Sequence, residues 1–296
     1  MDRNRPRVRR SAGYAVVMSD RTATAFEPVV LAETPGYLIR RSQQVHNTLW
    51  ADAIPGVTPP QFAVLAALSV DGGVDQRRLG ELSSLDKSSV ADVVARLSAQ
   101  RWIERERDPR DARRNLLRLA PAAEIAVRHL SPVVDEVQGR LLAPLDADER
   151  EPFLAALRTV ARVDPASPAV LLGSAGHLIR CAQQVHTALW AEAFAGELTG
   201  PQCAVLFVIS GTPEIGQKHL GELAALDRST AADLISRLVR RGWVRRDRSP
   251  ADARVKTLEL TDAGREVVDW AGPGVQPVQE RLLSPLDAVE QGRFMG

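Results

Sequence analysis

The sequence predicts a mainly α-helical chain with small β-hairpins, an α+β protein in which one domain occurs twice. Two kinds of observation predict it. Residues 37–50 read YLIRRSQQVHNTLW and 177–190 read HLIRCAQQVHTALW; 79–97 read LGELSSLDKSSVADVVARL and 220–238 read LGELAALDRSTAADLISRL. Within each copy, apolar residues recur at helical spacing and are followed by one short, charged, alternating segment. The offset is 140 at first and 141 later, and 20 of 41 positions are identical between 79–119 and 220–260. A period this long means a duplicated domain and excludes a solenoid.

Bulk composition agrees. At 296 residues the chain has room for two domains of roughly 150 residues. Hydrophobic residues are 45%, charged residues 25% and aromatics only 4%, so the expected cores consist mostly of Leu, Val and Ala. No apolar run approaches the ~20 residues of a membrane span, and a cytoplasmic protein with no membrane partner is expected. Cys181 and Cys203 make no disulfide framework. The expected boundaries are an arm over 1–34, a first unit over 35–163, a linker over 164–174 and a second unit over 175–296. The arm has five arginines in its first ten residues; a disordered extension is expected, with a minor-groove or phosphate-seeking arm and a start at Met18 as the alternatives. Asp164-Pro165-Ala166-Ser167-Pro168 has the composition of a turn or linker. The second copy has no counterpart of LAALRTVARV (154–163).

Each element of the first unit follows from local chemistry. A helix is expected over 37–53, with Leu38, Ile39, Val45, Leu49 and Trp50 on its apolar positions. Thr58 caps a second helix with Pro59 at its first position. That helix is almost wholly apolar and belongs in the core. A short third helix spans 77–84. Asp86 caps a fourth, to about Gln100, whose buried stripe is Val90, Val93, Val94 and Leu97. Strands are expected over 102–107 and 114–119, joined by the turn Asp108-Pro109-Arg110-Asp111. Two further helices follow at 121–143 and 147–161, with Pro132 expected to kink or divide the first.

Three helices, a polar-faced fourth and a charged hairpin describe a winged helix-turn-helix. The major groove admits one such helix, helix N-termini suit phosphate, and a hairpin arginine suits the narrow minor groove. The net charge of +1 is uninformative, but residues 96–115 carry seven arginines against four acids and 237–256 carry eight basic residues against two. The second copy is therefore expected to grip phosphate more strongly, through residues such as Arg245 and Arg246.

The order and motifs, LGELSSLDKSSVADVVARL with RWIERERDPRDAR and LGELAALDRSTAADLISRL with RGWVRRDRSPADAR, resemble the MarR family of transcription regulators. The resemblance implies a helical dimerisation-like region beside two winged domains and a double-stranded DNA partner. By that resemblance Lys87, Ser88, Ser89 and Arg96 in the first copy, and Arg228, Ser229, Thr230 and Arg237 in the second, fall on the DNA-reading helices. Arg110, Asp111 and Arg113, and Asp252 and Arg254, fall on the wings. The family's usual homodimer implies an intramolecular pseudo-dimer here, or a homodimer of tandem chains. Repression is the family default, released by a small anionic, aromatic or lipophilic effector. Its candidate walls are Gln44, His46, Trp50 and Gln61, with Gln184, His186, Trp190 and Gln202 in the second copy. The other reading of the His and Trp residues is duplicated core and interface packing. No cofactor is expected. A metal, haem or thiol sensor lacks a ligand cluster, and no phosphate loop or nucleophile elbow points to an enzyme. A protein-interaction module without DNA, against which both wings retain Asp-x-Arg, and a redox- or haem-responsive regulator are the remaining alternatives.

Overall fold

A computed structural model describes residues 33–70, 73–108, 115–248 and 256–295. The first repeat comprises α1 (Pro35–Ala53), α2 (Pro59–Val70), α3 (Gln76–Ser83), α4 (Lys87–Ala99), β1 (Ile103–Arg107), β2 (Asn115–Leu119), α5 (Pro121–Leu141) and α6 (Ala147–Ala161). A short α7 (Ala169–Leu172) leads into the second: α8 (Ala175–Ala193), α9 (Gly200–Gly211), β3 (Ile215–Gly216), α10 (Gln217–Leu223), α11 (Arg228–Arg240), β4 (Val244–Arg248), β5 (Lys256–Leu260), α12 (Asp262–Leu283) and α13 (Ala288–Met295).

The expected caps form. The Asp86 carboxylate accepts from the backbone of Ser88 and Ser89, and Asp227 accepts from Ser229 and Thr230 in the same way. Thr58 and Gln61 cap α2 reciprocally, as Thr199 and Gln202 cap α9. On α4, Val90, Val94 and Leu97 are buried, while Val93 is half-buried. β1 and β2 pair antiparallel from Ile103 opposite Leu119 to Arg107 opposite Asn115.

Three features differ from the sequence expectation. Pro132 lies inside one continuous α5 and does not divide it. β3 adds a third strand to the second hairpin, and its counterpart in the first repeat is a single bridge from Val74 to Leu117. Two residues are too short a stretch to show alternation. The 164–174 segment holds α7, and its Leu171 is buried against Trp50, Ile54 and Phe62 of the first repeat.

The repeats pack through their first and fifth helices. α1 lies against α8 and α5, and α8 lies against α12 and α6. The contacts recur in pseudo-symmetric pairs. The Gly36 backbone N–H donates to Gln279 Oε1 at 2.9 Å, and that of Gly176 donates to Gln138 Oε1 at 2.8 Å. Arg40 donates to the carbonyls of Ala224 (2.9 Å) and Ala225 (3.2 Å), and Arg180 donates to Ser83 and Ser84 (2.9 Å each). Residue i of one copy meets residue j of the other, and the reverse pair occurs too, as in the isologous interface of a symmetric dimer.

The cores are less symmetric. Buried apolar side chains of the second repeat form one continuous core with α6 and the inter-repeat helices, reaching Ile39 and Leu142 of the first repeat. The first helix-turn-helix keeps a separate core around Leu65, Leu79, Val94 and Leu117.

Candidate nucleic-acid interface and effector cleft

The two reading helices present matching ends. Lys87 and Ser88 are exposed at the start of α4, where Ser89 is half-buried; Arg228, Ser229 and Thr230 are exposed at the start of α11. The hydroxyls of Ser88 (2.6 Å) and Ser89 (2.5 Å) donate to the Asp86 carboxylate, and those of Ser229 and Thr230 (2.5 Å each) donate to Asp227. Four donors hold each carboxyl well below the usual carboxylate range, the serine hydroxyls first among them. Both hydroxyl pairs are thereby oriented, and their lone pairs remain to accept from a base edge.

Arg96 is exposed. Arg237 is exposed too, paired at 2.7 Å with Asp233 one turn earlier. The wing residues Arg110, Asp111, Arg113, Asp252 and Arg254 lie outside the described residues. Part of the second copy's basic excess is neutralised within the fold. Arg245 pairs with Glu259 and with Asp247 (3.1 Å), whereas among the described residues Arg246 donates only to the Ser236 hydroxyl (3.2 Å). Arg241 lies over the Trp243 ring and donates to the Glu197 carbonyl. Counting charges along the chain cannot reveal such cross-strand pairing.

Beside α4 opens a cleft of about 2190 Å³, floored by α1 and α8 and walled by α3 and α4. Of the eight candidate effector residues it brings together Trp50, Gln61 and Gln184. Trp50 is buried, and its indole donates to the Val57 carbonyl at 2.6 Å. The Gln61 and Gln202 amides are committed to helix caps. Gln44 is half-buried and accepts from Arg41 at 3.5 Å. Trp190 is buried on α8, stacked on Phe194.

His46 and His186 sit in the inter-repeat interface. A Cβ on Gly176 would lie 2.1 Å from His46 Nε2, and one on Gly36 would lie 2.4 Å from His186 Nε2. Burial pushes both imidazoles down to about 4, and His177 down to about 3. Duplicated packing therefore describes the histidines.

The sequence reading missed Arg40 and Arg180. Both interrupt an apolar stretch at the same place in each copy, which was the available signal. Arg180 is largely buried and donates to Ser83 and Ser84 at the carboxyl end of α3, just before the Asp86 cap. Its guanidinium also meets His177 Nδ1 at 3.2 Å. The Gln184 amide, turned to suit its neighbours, accepts from Arg180 at 3.1 Å and donates to Ser84 at 3.2 Å. Among the described residues no carboxylate pairs with Arg180. Burial lowers its pKa for want of such a partner.

Cys181 and Cys203 are buried thiols, pushed up by desolvation, Cys203 to about 12, so neither presents a thiolate. Among the described residues no three His, Cys, Asp or Glu side chains group to hold a metal, and no helix is long and apolar enough to cross a membrane.

MarR-family models match residues 56–114 and 198–256, one in each repeat. The transcriptional regulator HosA of Escherichia coli is 38% identical over 125 residues, covering 42% of this chain and 92% of that protein. The chain belongs to the MarR family. As a MarR-family protein it is doubled, since one complete relative spans about two fifths of it. The transcriptional repressor NicR of Pseudomonas putida is 26% identical over 133 residues, covering 44% of this chain and 84% of that protein. Among solved structures, the PcaV regulator of Streptomyces coelicolor is 43% identical, covering 43% of this chain and 95% of that chain, with a TM-score of 0.39. BpsR of Bordetella bronchiseptica, whose DNA binding is regulated by 6-hydroxynicotinic acid, is 28% identical, covering 47% of this chain and 100% of that chain, with a TM-score of 0.45.

Proposed function

We propose that this MarR-family regulator binds double-stranded DNA as an intramolecular pseudo-dimer and represses transcription until a small organic acid binds its cleft. The reciprocal contacts carry the reading: Gly36 with Gln279, Gly176 with Gln138, and the two arginines with the opposite α3 and α10 ends. They join two reading helices in one chain, as a family homodimer joins them in two. A pseudo-palindromic operator with half-sites about one DNA turn apart suits that arrangement. The repressor named among the relatives supports repression. Light scattering on a complex with one minimal operator tests the stoichiometry: one chain per operator is expected, and two chains would refute it.

The acid follows from the cleft. Among the described residues Arg180 is a buried cation bonded only to neutral partners, and the described lining has five basic side chains against three carboxylates. On the floor, the Gln43 and Gln183 amide oxygens are buried without partners and can accept from a hydroxyl or N–H on the ligand. A ligand that draws Arg180 away from Ser83 and Ser84 shifts the head those carbonyls belong to, and with it the spacing of the reading helices.

Phosphate contacts are assigned to Arg246 ahead of Arg245. Arg246→Ala is expected to reduce the slope of log K against log salt by about 0.9, and Arg245→Ala to change it little. Equal reductions in an operator titration across salt would contradict the assignment.

A further inference from the structure

Two identical copies of one domain would read two equal half-sites. We propose that the reading heads are unequal, so that the chain docks on its operator in one direction. The second head takes a half-site fixed by a guanine and a neighbouring thymine, and the first takes a looser one. This rests on the DNA-binding reading above and adds which residues set the preference of each head.

α4 and α11 align without a gap over 13 residues each, so their positions compare directly. Ser88, Asp92 and Arg96 recur as Ser229, Asp233 and Arg237. All six are exposed and supply what the two half-sites share. Around them the copies differ. Arg228 stands where the first head has Lys87, and both are exposed. An arginine fork makes two parallel hydrogen bonds to O6 and N7 of guanine, whereas a lysine ammonium is a point charge that turns among acceptors. Thr230 stands where the first head has Ser89; the serine is half-buried and the threonine exposed. The Thr230 hydroxyl is held by the Asp227 carboxylate at 2.5 Å, which also fixes the methyl group on the same carbon. A fixed, exposed methyl suits the C5 methyl of thymine.

The hairpins beside these helices differ as well. Glu104 on β1 stands opposite Arg118 on β2, and the equivalent pair in the second copy is Arg245 opposite Glu259. The two charges have changed strands, so the hairpins present different charge patterns to a phosphate backbone. Beside Arg245, Arg246 donates to the Ser236 hydroxyl of α11 at 3.2 Å. The counterparts of Arg246 and Ser236 are Arg105 and Ala95, and an alanine side chain has no oxygen to accept that bond. Arg246 is therefore held on the flank of its reading helix before DNA arrives, by a bond that the first head lacks the hydroxyl to make. A side chain already ordered gives up less entropy on binding. The second head combines the arginine fork, the fixed methyl and the tethered cation, and the first head has none of the three.

Selection of duplexes from a randomised pool by the whole protein tests this, each recovered half-site being compared with its mate. Unequal half-sites are expected: one favours guanine about tenfold at a single position, and the other has a weaker preference there. Lys87→Arg is expected to strengthen the guanine in the looser half-site and bring the selected sequence closer to a perfect inverted repeat, a gain that misfolding cannot mimic. Arg228→Lys is expected to relax the guanine about tenfold in the stricter half-site and leave its mate unchanged. Thr230→Ser is expected to lower the preference for the adjacent thymine in that half-site alone. Equal half-sites in the unaltered protein, or an asymmetry that neither the Lys87 nor the Arg228 change moves, would overturn the directional docking while leaving DNA binding standing. Recovery of no duplex above background would overturn both.

Discussion

Gly176→Ala is expected to destabilise the protein by roughly 3 kcal/mol, the upper part of the range for overpacking a well-filled interior. The added methyl would lie 2.1–2.6 Å from three atoms of the His46 ring, a side chain only 1% exposed. Close packing leaves that ring no room to retreat. The same helix end carries the Gly176 N–H bond to Gln138, so a shift large enough to relieve the clash also lengthens that bond. The pseudo-symmetric change Gly36→Ala meets His186 at 2.4 Å and is expected to behave alike. The decisive measurement is a double-mutant cycle by urea denaturation. In a His46→Ala background, Gly176→Ala should cost less than about 1 kcal/mol, because the truncated side chain vacates the space. An unchanged midpoint for the single change, or no rescue in the pair, would show that the two helices do not approach this closely in solution. Because this contact joins the repeats, operator affinity should fall with stability in the single variant and return in the pair.

Stability is also expected to fall steeply between pH 6.5 and about 4. Burial holds His46 and His186 down to about 4 and His177 to about 3, while an unfolded histidine titrates near 6.5. The unfolded chain therefore binds more protons in this window. The contribution is fully present above the unfolded pKa and is lost as pH falls toward the folded values. At pH 5, about 1.5 units below the unfolded value, each histidine withdraws about 2 kcal/mol. His46 exposes the cause most directly, since neither ring nitrogen has a partner. The cap carboxylates Asp86 and Asp227 are held low and lose their contribution at lower pH, outside this window. Urea midpoints at pH 7.5, 6.5, 5.5 and 5 read the effect directly. His46→Gln, which cannot titrate, is expected to remove about a third of the loss. A flat profile over this range would mean that water reaches the inter-repeat helices.

Much of the fold was legible from residue order because its causes are local. Asp86 before a stripe at positions 90, 94 and 97 specifies where α4 starts and which face it buries. Asp227 repeats that signal for α11. Gln61 and Gln202 illustrate the limit. The family resemblance placed them on an effector wall; each also sits three residues after a threonine, and their amides complete helix caps. That threonine-to-glutamine spacing was available in the sequence and specifies the caps.

The sequence by itself determined that the protein is a doubled MarR-family chain, where its reading helices begin, and that its two copies differ in charge. Only the tertiary structure decided what the copies do to each other. Gly176 meets His46 across a separation of 130 residues, Arg180 meets Ser84 across 96, and Arg245 finds Glu259 across a hairpin. Such contacts depend on which faces meet after folding, and the periodicity of one helix carries no information about its distant partner.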